Sequence, residues 1–278
     1  MMKFSLGCEL SYVVLRPTTM ILNVEAQRVE GQLISREDFS VTPFVSSEMH
    51  ATPETSNRYR RILLQAGPCA IRYEADVETY PQLNLPGSVD EVPVAQLPLD
   101  VMSHLFSSRY CESEELGRFA WRRFGDIPQG HSRVEAICDW IRDNVDYLDG
   151  SSDGKTTAVD TFAKRSGVCR DFAHLAITFC RSLGIPARYV SAYGWKLEPQ
   201  DFHAVFEAYL SGRWYVFDPT RLSPPEGVVR IGVGRDAADT AFATFFGSLE
   251  SKPKTVWVNA LPNTNDAIED RAVSLSAT

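Results

Sequence analysis

The chain has 278 residues, 44% hydrophobic and 23% charged, with a formal net charge of −8. That is an ordinary globular composition, long enough for one or two domains. Lys and Arg never run beyond pairs such as Arg60-Arg61 and Arg122-Arg123, which argues against nucleic acid or an anionic membrane as the main partner. The opening Met1-Met2-Lys3-Phe4-Ser5-Leu6-Gly7-Cys8 is faintly like a lipoprotein cleavage site. Its apolar part is far short of the roughly 7–15 residues a signal peptide needs, and no apolar run nears the ~18 of a membrane-spanning helix. A cytoplasmic location is expected.

Residues 1–80 read as β structure. Leu10–Leu15 and Met20–Ala26 flank Arg16-Pro17-Thr18-Thr19 and predict a hairpin. Gln32–Val41 predicts another strand, and Pro43–Asn57 an exposed loop in which His50 is a solvated side chain. Arg58–Gln65 and Cys69–Thr79 predict strands around Ala66-Gly67-Pro68. In the second, Ile71, Tyr73, Ala75 and Val77 alternate with charged residues, so one face is buried and the other wet. Pro81, Pro86, Gly87, Pro93 and Pro98 mark a passage, placing a boundary near residue 95 between a sandwich-like β domain (1–95) and a second domain (96–278). Helices come next: a short one after Pro98, then about 113–124, about 132–144 and a short one at 157–164. His104 and His131 stand at no ligand spacing. Residues 147–154 read as a polar, flexible stretch, and the tail after about Asn265 as polar and frayed.

A loop then runs into a helix at Ser166-Gly167-Val168-Cys169-Arg170-Asp171-Phe172. Apolar residues at Phe172, Leu175, Ala176, Phe179, Cys180 and Leu183 make one buried face, and Gly184-Ile185-Pro186 stops it. Cys169 falls in or beside the first turn, where backbone N–H groups favour a thiolate over a thiol. Asp171 suits the helix start but opposes a thiolate; Arg170 pulls the other way. Without a base, Cys169 is simply the first core residue of an amphipathic helix. The six cysteines (8, 69, 111, 138, 169 and 180) contain no CxxC pair, so neither a zinc site nor a disulfide framework is supported. Cys169 and Cys180 are about 16 Å apart along a helix, too far to bridge.

Two aromatic and β-branched runs, 202–210 and 213–220, enclose Ser211-Gly212 and predict a hairpin with Leu210 opposite Arg213. That register puts His203 diagonal to Asp218 on one sheet face, within reach of a hydrogen bond. A two- or four-residue loop keeps the register; a three- or five-residue loop would separate the two residues. His174 is the rival base. It lies about 140° round the helix from Cys169 and is better read as a packed or solvated side chain. Asp201 could compete with Asp218 for His203, and Glu207 reads as structural, paired with an arginine. Asp236 and Asp239 lack the pattern of a calcium loop, so no metal or cofactor is expected.

Gly-Val-Cys-Arg-Asp-Phe-Ala (167–173), Leu-Gly-Ile-Pro-Ala-Arg-Tyr-Val (183–190), His-Ala-x-x-Glu-x-Tyr-Leu (203–210) and Trp-Tyr-x-Phe-Asp-Pro-Thr (214–220) occur in that order. Together they resemble the bacterial transglutaminase-like superfamily of transglutaminases and related cysteine proteases, over roughly residues 130–247. The segment 232–239 resembles the stretch that comes after these motifs in that family, and residues 1–80 resemble, more weakly, its β-rich N-terminal region. Where the family often has Trp two residues after the histidine, this chain has Val205. The resemblance implies an α+β fold with a papain-like core of helices on an antiparallel sheet. It also implies the nucleophile at Cys169, the base at His203 and the orienting acid at Asp218.

The activity expected is acyl transfer at amide bonds of a peptide or protein, to water as a cysteine protease or amidase, or to an amine as a transglutaminase. A binding or scaffold protein that keeps the fold without the chemistry is the alternative, disfavoured by the intact Cys, His and Asp. A redox thiol is disfavoured because no resolving cysteine is near Cys169. The second oxyanion donor and the oligomeric state are left open.

Overall fold

The segment expected to turn at Arg16-Pro17-Thr18-Thr19 does not turn: Met2–Leu22 is one 21-residue strand, β1. Its register against Ala243–Ser251 shifts between Val14 and Arg16 and again between Arg16 and Thr19. Such bulges are where a strand tolerates proline, which has no N–H to donate. The computed structural model describes residues 1–262 and 271–275. After β1 come β2 (Gln32–Thr42), β3 (Ser47–Ala51), β4 (Arg58–Leu64), β5 (Gly67–Thr79) and β6 (Gln82–Asn84). β3 lies inside the expected loop; it is a largely exposed edge strand, so no hydrophobic alternation betrays it. The short helix expected after Pro98 is the 3-10 turn Leu99–His104.

The helical part continues as α1 (Ser113–Phe124), α2 (His131–Asn144), β7 (Asp146–Tyr147), α3 (Ala158–Lys164), β8 (Ser166–Gly167) and α4 (Cys169–Ser182). Just past the end of α4 comes Gly184, whose φ of 80° suits glycine and whose N–H reaches the Arg181 carbonyl. Then come β9 (Ala187–Gly194), β10 (Phe202–Leu210), β11 (Arg213–Phe217), β12 (Val228–Gly234), β13 (Ala243–Ser251), β14 (Thr255–Ala260) and β15 (Ala272–Ser274). Within the expected frayed tail, residues 265–270 and 276–278 lie outside the described residues, but β15 is a buried strand paired with β6.

The fold is α+β. One antiparallel sheet has the order β11-β10-β9-β12, and α4 packs on β9 and β10 with α1, α2 and α3 around it. Phe119, Phe124, Trp140, Phe162 and Phe179 cluster at that junction, with ring centroids 4.8–6.3 Å apart. The other main sheet has the order β2-β5-β1-β4-β3, and β13 and β14 also pair with β1. β13 and β14, which come after the expected boundary at residue 95, pair with β1 of the N-terminal sheet.

The two sheets meet along a polar seam. β9 covers one edge of β12, and side chains from the N-terminal region serve the other. Gln32 accepts from the Arg230 N–H (2.8 Å) and donates to the Arg230 carbonyl (2.9 Å). Asn57 does the same for Val233, at 2.9 and 2.8 Å. Tyr193, Val229 and Ile231 of the smaller sheet are buried in the apolar core of the larger one. Asn57→Ala would strip Val233 of both bonds in a buried setting. It should cost about 1–3 kcal/mol for each group left unpaired, seen as a lower urea midpoint; an unchanged midpoint would mean that the seam does not hold the sheets together.

Candidate active site

Cys169 is the first residue of α4, after Val168 in extended conformation (φ −113°). The buried Asp171 carboxylate accepts from the Val168 N–H (2.9 Å), bonding a backbone group at the helix entry. Arg170 donates to the other Asp171 oxygen from Nη2 (2.9 Å) and Nε (3.2 Å). The negative charge expected to oppose a thiolate is thus balanced on the spot. Cys169 is half-buried, while the other five cysteines are buried. Burial pushes the thiols of Cys8 up to about 11 and Cys111 up to about 12, and also raises those of Cys69, Cys138 and Cys180.

β10 and β11 pair in the predicted register, from Leu210 opposite Arg213 to Phe206 opposite Phe217. Ser211 and Gly212 both have positive φ (45° and 80°), as a tight two-residue hairpin turn requires. Asp218 comes directly after β11, and its Oδ2 lies 2.8 Å from His203 Nε2. Both side chains are out of water, His203 0% and Asp218 1% exposed. Gly194 of β9 backs the imidazole; a Cβ there would sit 3.1 Å from the His203 Cβ. Val205, the departure from the family pattern, is packed with Val190, Ala192 and Val216.

The Asp218 carboxylate is fully engaged. Oδ1 accepts from the Thr220 N–H (2.9 Å) and hydroxyl (2.6 Å), and Oδ2 also accepts from the Ser223 N–H (3.0 Å). Burial alone would raise its pKa, but the His203 charge and these bonds hold it below the ordinary carboxylate value. For His203, burial works downward and is overcome by the Asp218 charge and bond, with help from Cys169; its pKa is raised to about 10. With Nε2 committed to Asp218, Nδ1 is the remaining ring nitrogen. It is buried and has no hydrogen bond of full geometry.

The rival residues are otherwise engaged. His174 is fully buried, stacked on Tyr110 (5.0 Å) and tilted against Tyr189 (5.2 Å). Its Nε2 accepts from the Ala237 N–H (3.1 Å), and burial lowers its pKa to about 3. Asp201 bonds its neighbour's N–H (2.7 Å) and Lys254 (2.8 Å). Glu207 is buried between Arg188 (2.6 Å) and Arg230 (3.4 Å). Asp236 accepts from the backbone of Tyr110 and Ala238, while Asp239 pairs with Arg235.

Cys169 and His203 line one cleft of about 460 Å³, walled by Tyr110, Tyr189, Ile231, Phe202 and Phe242. No sequence pattern marks these walls, because each lies on a different stretch of the chain. Tyr147 carries no mark either and falls in the stretch expected to be flexible. β7 and β8 instead pair in parallel and bring it to Cys169; burial, then Cys169 itself, raise its phenol above the ordinary value.

Comparison with known proteins agrees with this architecture. The model of the transglutaminase-like superfamily core matches residues 122–219, and that of the bacterial transglutaminase N-terminal domain matches residues 2–100. A crystal structure from Cytophaga hutchinsonii, described as a "putative cysteine protease", is 41% identical with a TM-score of 0.95, over 99% of this chain and 98% of that one. An uncharacterized protein of Mycobacterium leprae is 37% identical over 130 residues, which span 43% of this chain and 46% of that protein. The periplasmic domain of TgpA from Pseudomonas aeruginosa is 16% identical with a TM-score of 0.41, over 80% of this chain and 91% of that one.

The buried pair makes stability depend on pH with a definite sign. His203, raised to about 10, contributes fully below the ordinary histidine value and loses that contribution as pH rises through about 10. Asp218, lowered, contributes above the ordinary carboxylate value and loses it as pH falls through its own. The pair therefore stabilises most between about pH 4 and 6.5. The Tm deficit of Asp218→Asn should be largest in that window and shrink towards pH 10. A deficit constant from pH 5 to 10 would contradict the ion pair.

Proposed function

Since the chain belongs to the transglutaminase-like superfamily, we propose that it is a thiol-dependent enzyme acting on amide bonds of peptides or proteins, with Cys169 as nucleophile, His203 as base and Asp218 as orienting acid. One observation carries this reading: His203, bonded at 2.8 Å to a buried Asp218, lines the same cleft as the most accessible cysteine. The Cys169 thiolate attacks the amide carbonyl carbon, and His203, protonated at neutral pH, gives its proton to the leaving nitrogen as the C–N bond breaks. A thioester on Cys169 remains. His203, now neutral, takes a proton from the water or amine that attacks the thioester, and the thiolate is restored. Asp218 keeps the ring in one orientation throughout. The Cys169 N–H at the start of α4 is one donor to the developing oxyanion.

Hydrolysis is the first reading, because the Cytophaga hutchinsonii protein is described as a "putative cysteine protease"; amine transfer is the second, from the family. A reducing, cytoplasmic setting suits six unpaired thiols. The test is turnover of glutamine-containing peptides with and without a primary amine, alongside mass detection of the thioester. Cys169→Ala should lower turnover roughly 10³-fold or more. Wild-type turnover in Cys169→Ala would contradict the proposal, and amine incorporation exceeding hydrolysis would make the protein a transglutaminase.

A further inference from the structure

Asp218 can orient His203 only if the chain after β11 holds the carboxylate still, and that segment is a tight turn away from the sheet. Arg221 is its pivot, with φ of 60° and its N–H on the Asp218 carbonyl (3.1 Å). Thr220 and Ser223 wrap the carboxylate from either side, the Leu222 N–H reaches Thr220 Oγ1 (3.2 Å), and Ser223 Oγ holds the Trp195 carbonyl (2.9 Å). These bonds shape the turn without tying it to the helical layer. The tie comes from α2. His131, Glu135 and Asp139 are spaced i, i+4, i+8 on that helix and so share one face. The His131 ring packs on Phe217, the residue before Asp218, with centroids 4.9 Å apart. Glu135 and Asp139 both take the Arg221 guanidinium, Asp139 at 3.0 Å. One helix face thus grips the chain immediately before and three residues after Asp218.

We infer that Arg221 is a positioning residue for the reaction, docked on the Glu135–Asp139 face of α2 so that the Asp218 carboxylate stays in line with His203. The inference rests on the assignment of Cys169, His203 and Asp218 as nucleophile, base and orienting acid. The alternative is an ordinary partly exposed ion pair, whose contribution to stability is small and whose loss leaves His203 as it was. The two differ in what they do to the cysteine. If the carboxylate loses its alignment, the imidazole no longer supports the thiolate near neutrality, whereas at high pH the thiol ionises unaided.

The experiment is the pH dependence of Cys169 alkylation by iodoacetamide, read by peptide mass, in the wild type, His203→Ala, Arg221→Ala, Arg221→Lys and the double variant Glu135→Gln/Asp139→Asn. Arg221→Ala and the double variant should slow alkylation roughly tenfold or more at pH 6–7 and converge on the wild type above pH 9. Arg221→Lys should recover part of the loss. The double variant leaves the turn's own sequence intact, so a folding failure in Arg221→Ala does not decide the matter. A wild-type profile in the double variant and in a folded Arg221 variant overturns the inference while leaving the triad reading in place. A wild-type profile in His203→Ala overturns the triad reading itself.

Discussion

A carboxylate and an imidazole removed from water 2.8 Å apart are the constraint on which the rest of this molecule depends. Taking both charges out of solvent costs several kcal/mol each, recovered only when geometry is good and the remaining polar atoms are bonded. The surroundings of Asp218 meet that requirement largely through backbone, while the buried His203 Nδ1 keeps no hydrogen bond. The hairpin register sets the diagonal, the turn after β11 supplies N–H groups to both carboxylate oxygens, and Gly194 lets β9 lie close behind the ring. Truncating either partner would leave an uncompensated buried group, so the pair is a demanding feature to carry for stability alone.

The N-terminal sheet shares in building this site. Asn57 and Gln32 complete the free edge of β12 with side-chain amides in place of another strand, and Tyr193, Val229 and Ile231 pack into the larger sheet's core. The return of β13 and β14 to β1 brings Ala243 and Lys254 to the wall of the Cys169 cleft. The cleft is therefore bounded by chain from both sheets, which ties its shape to their docking.

Much of this is legible in the sequence, and the reason differs from element to element. α1, α2 and α4 carry apolar residues at helical spacing, and α4 also has a clear stop, so their limits agree with the expectation within a residue. The His203–Asp218 proximity is readable because a two-residue Ser-Gly turn leaves one register and side chains alternate with period two. The hairpin expected at Arg16-Pro17-Thr18-Thr19 fails because proline marks bulges as well as turns, and only long-range pairing decides between them. β3 and β15 lack alternation of their own; β3 is held by pairing with the neighbouring β4, and β15 by pairing with β6 far back along the chain. Tyr147 and the cleft walls are invisible for the same reason: no local pattern announces a residue whose neighbours come from other elements.

The most direct test of the account is the protonation state of the histidines, read by nitrogen NMR on selectively labelled protein. His203 is held up at about 10 by its buried carboxylate, whereas burial without a charged partner takes His174 down to about 3. At pH 8 the His203 ring should be an imidazolium with its Nε2 proton strongly shifted by Asp218, while at pH 5 the His174 ring should still be neutral. A His203 that is neutral at pH 8, titrating near 6.5 as a free histidine does, would contradict the account at its centre.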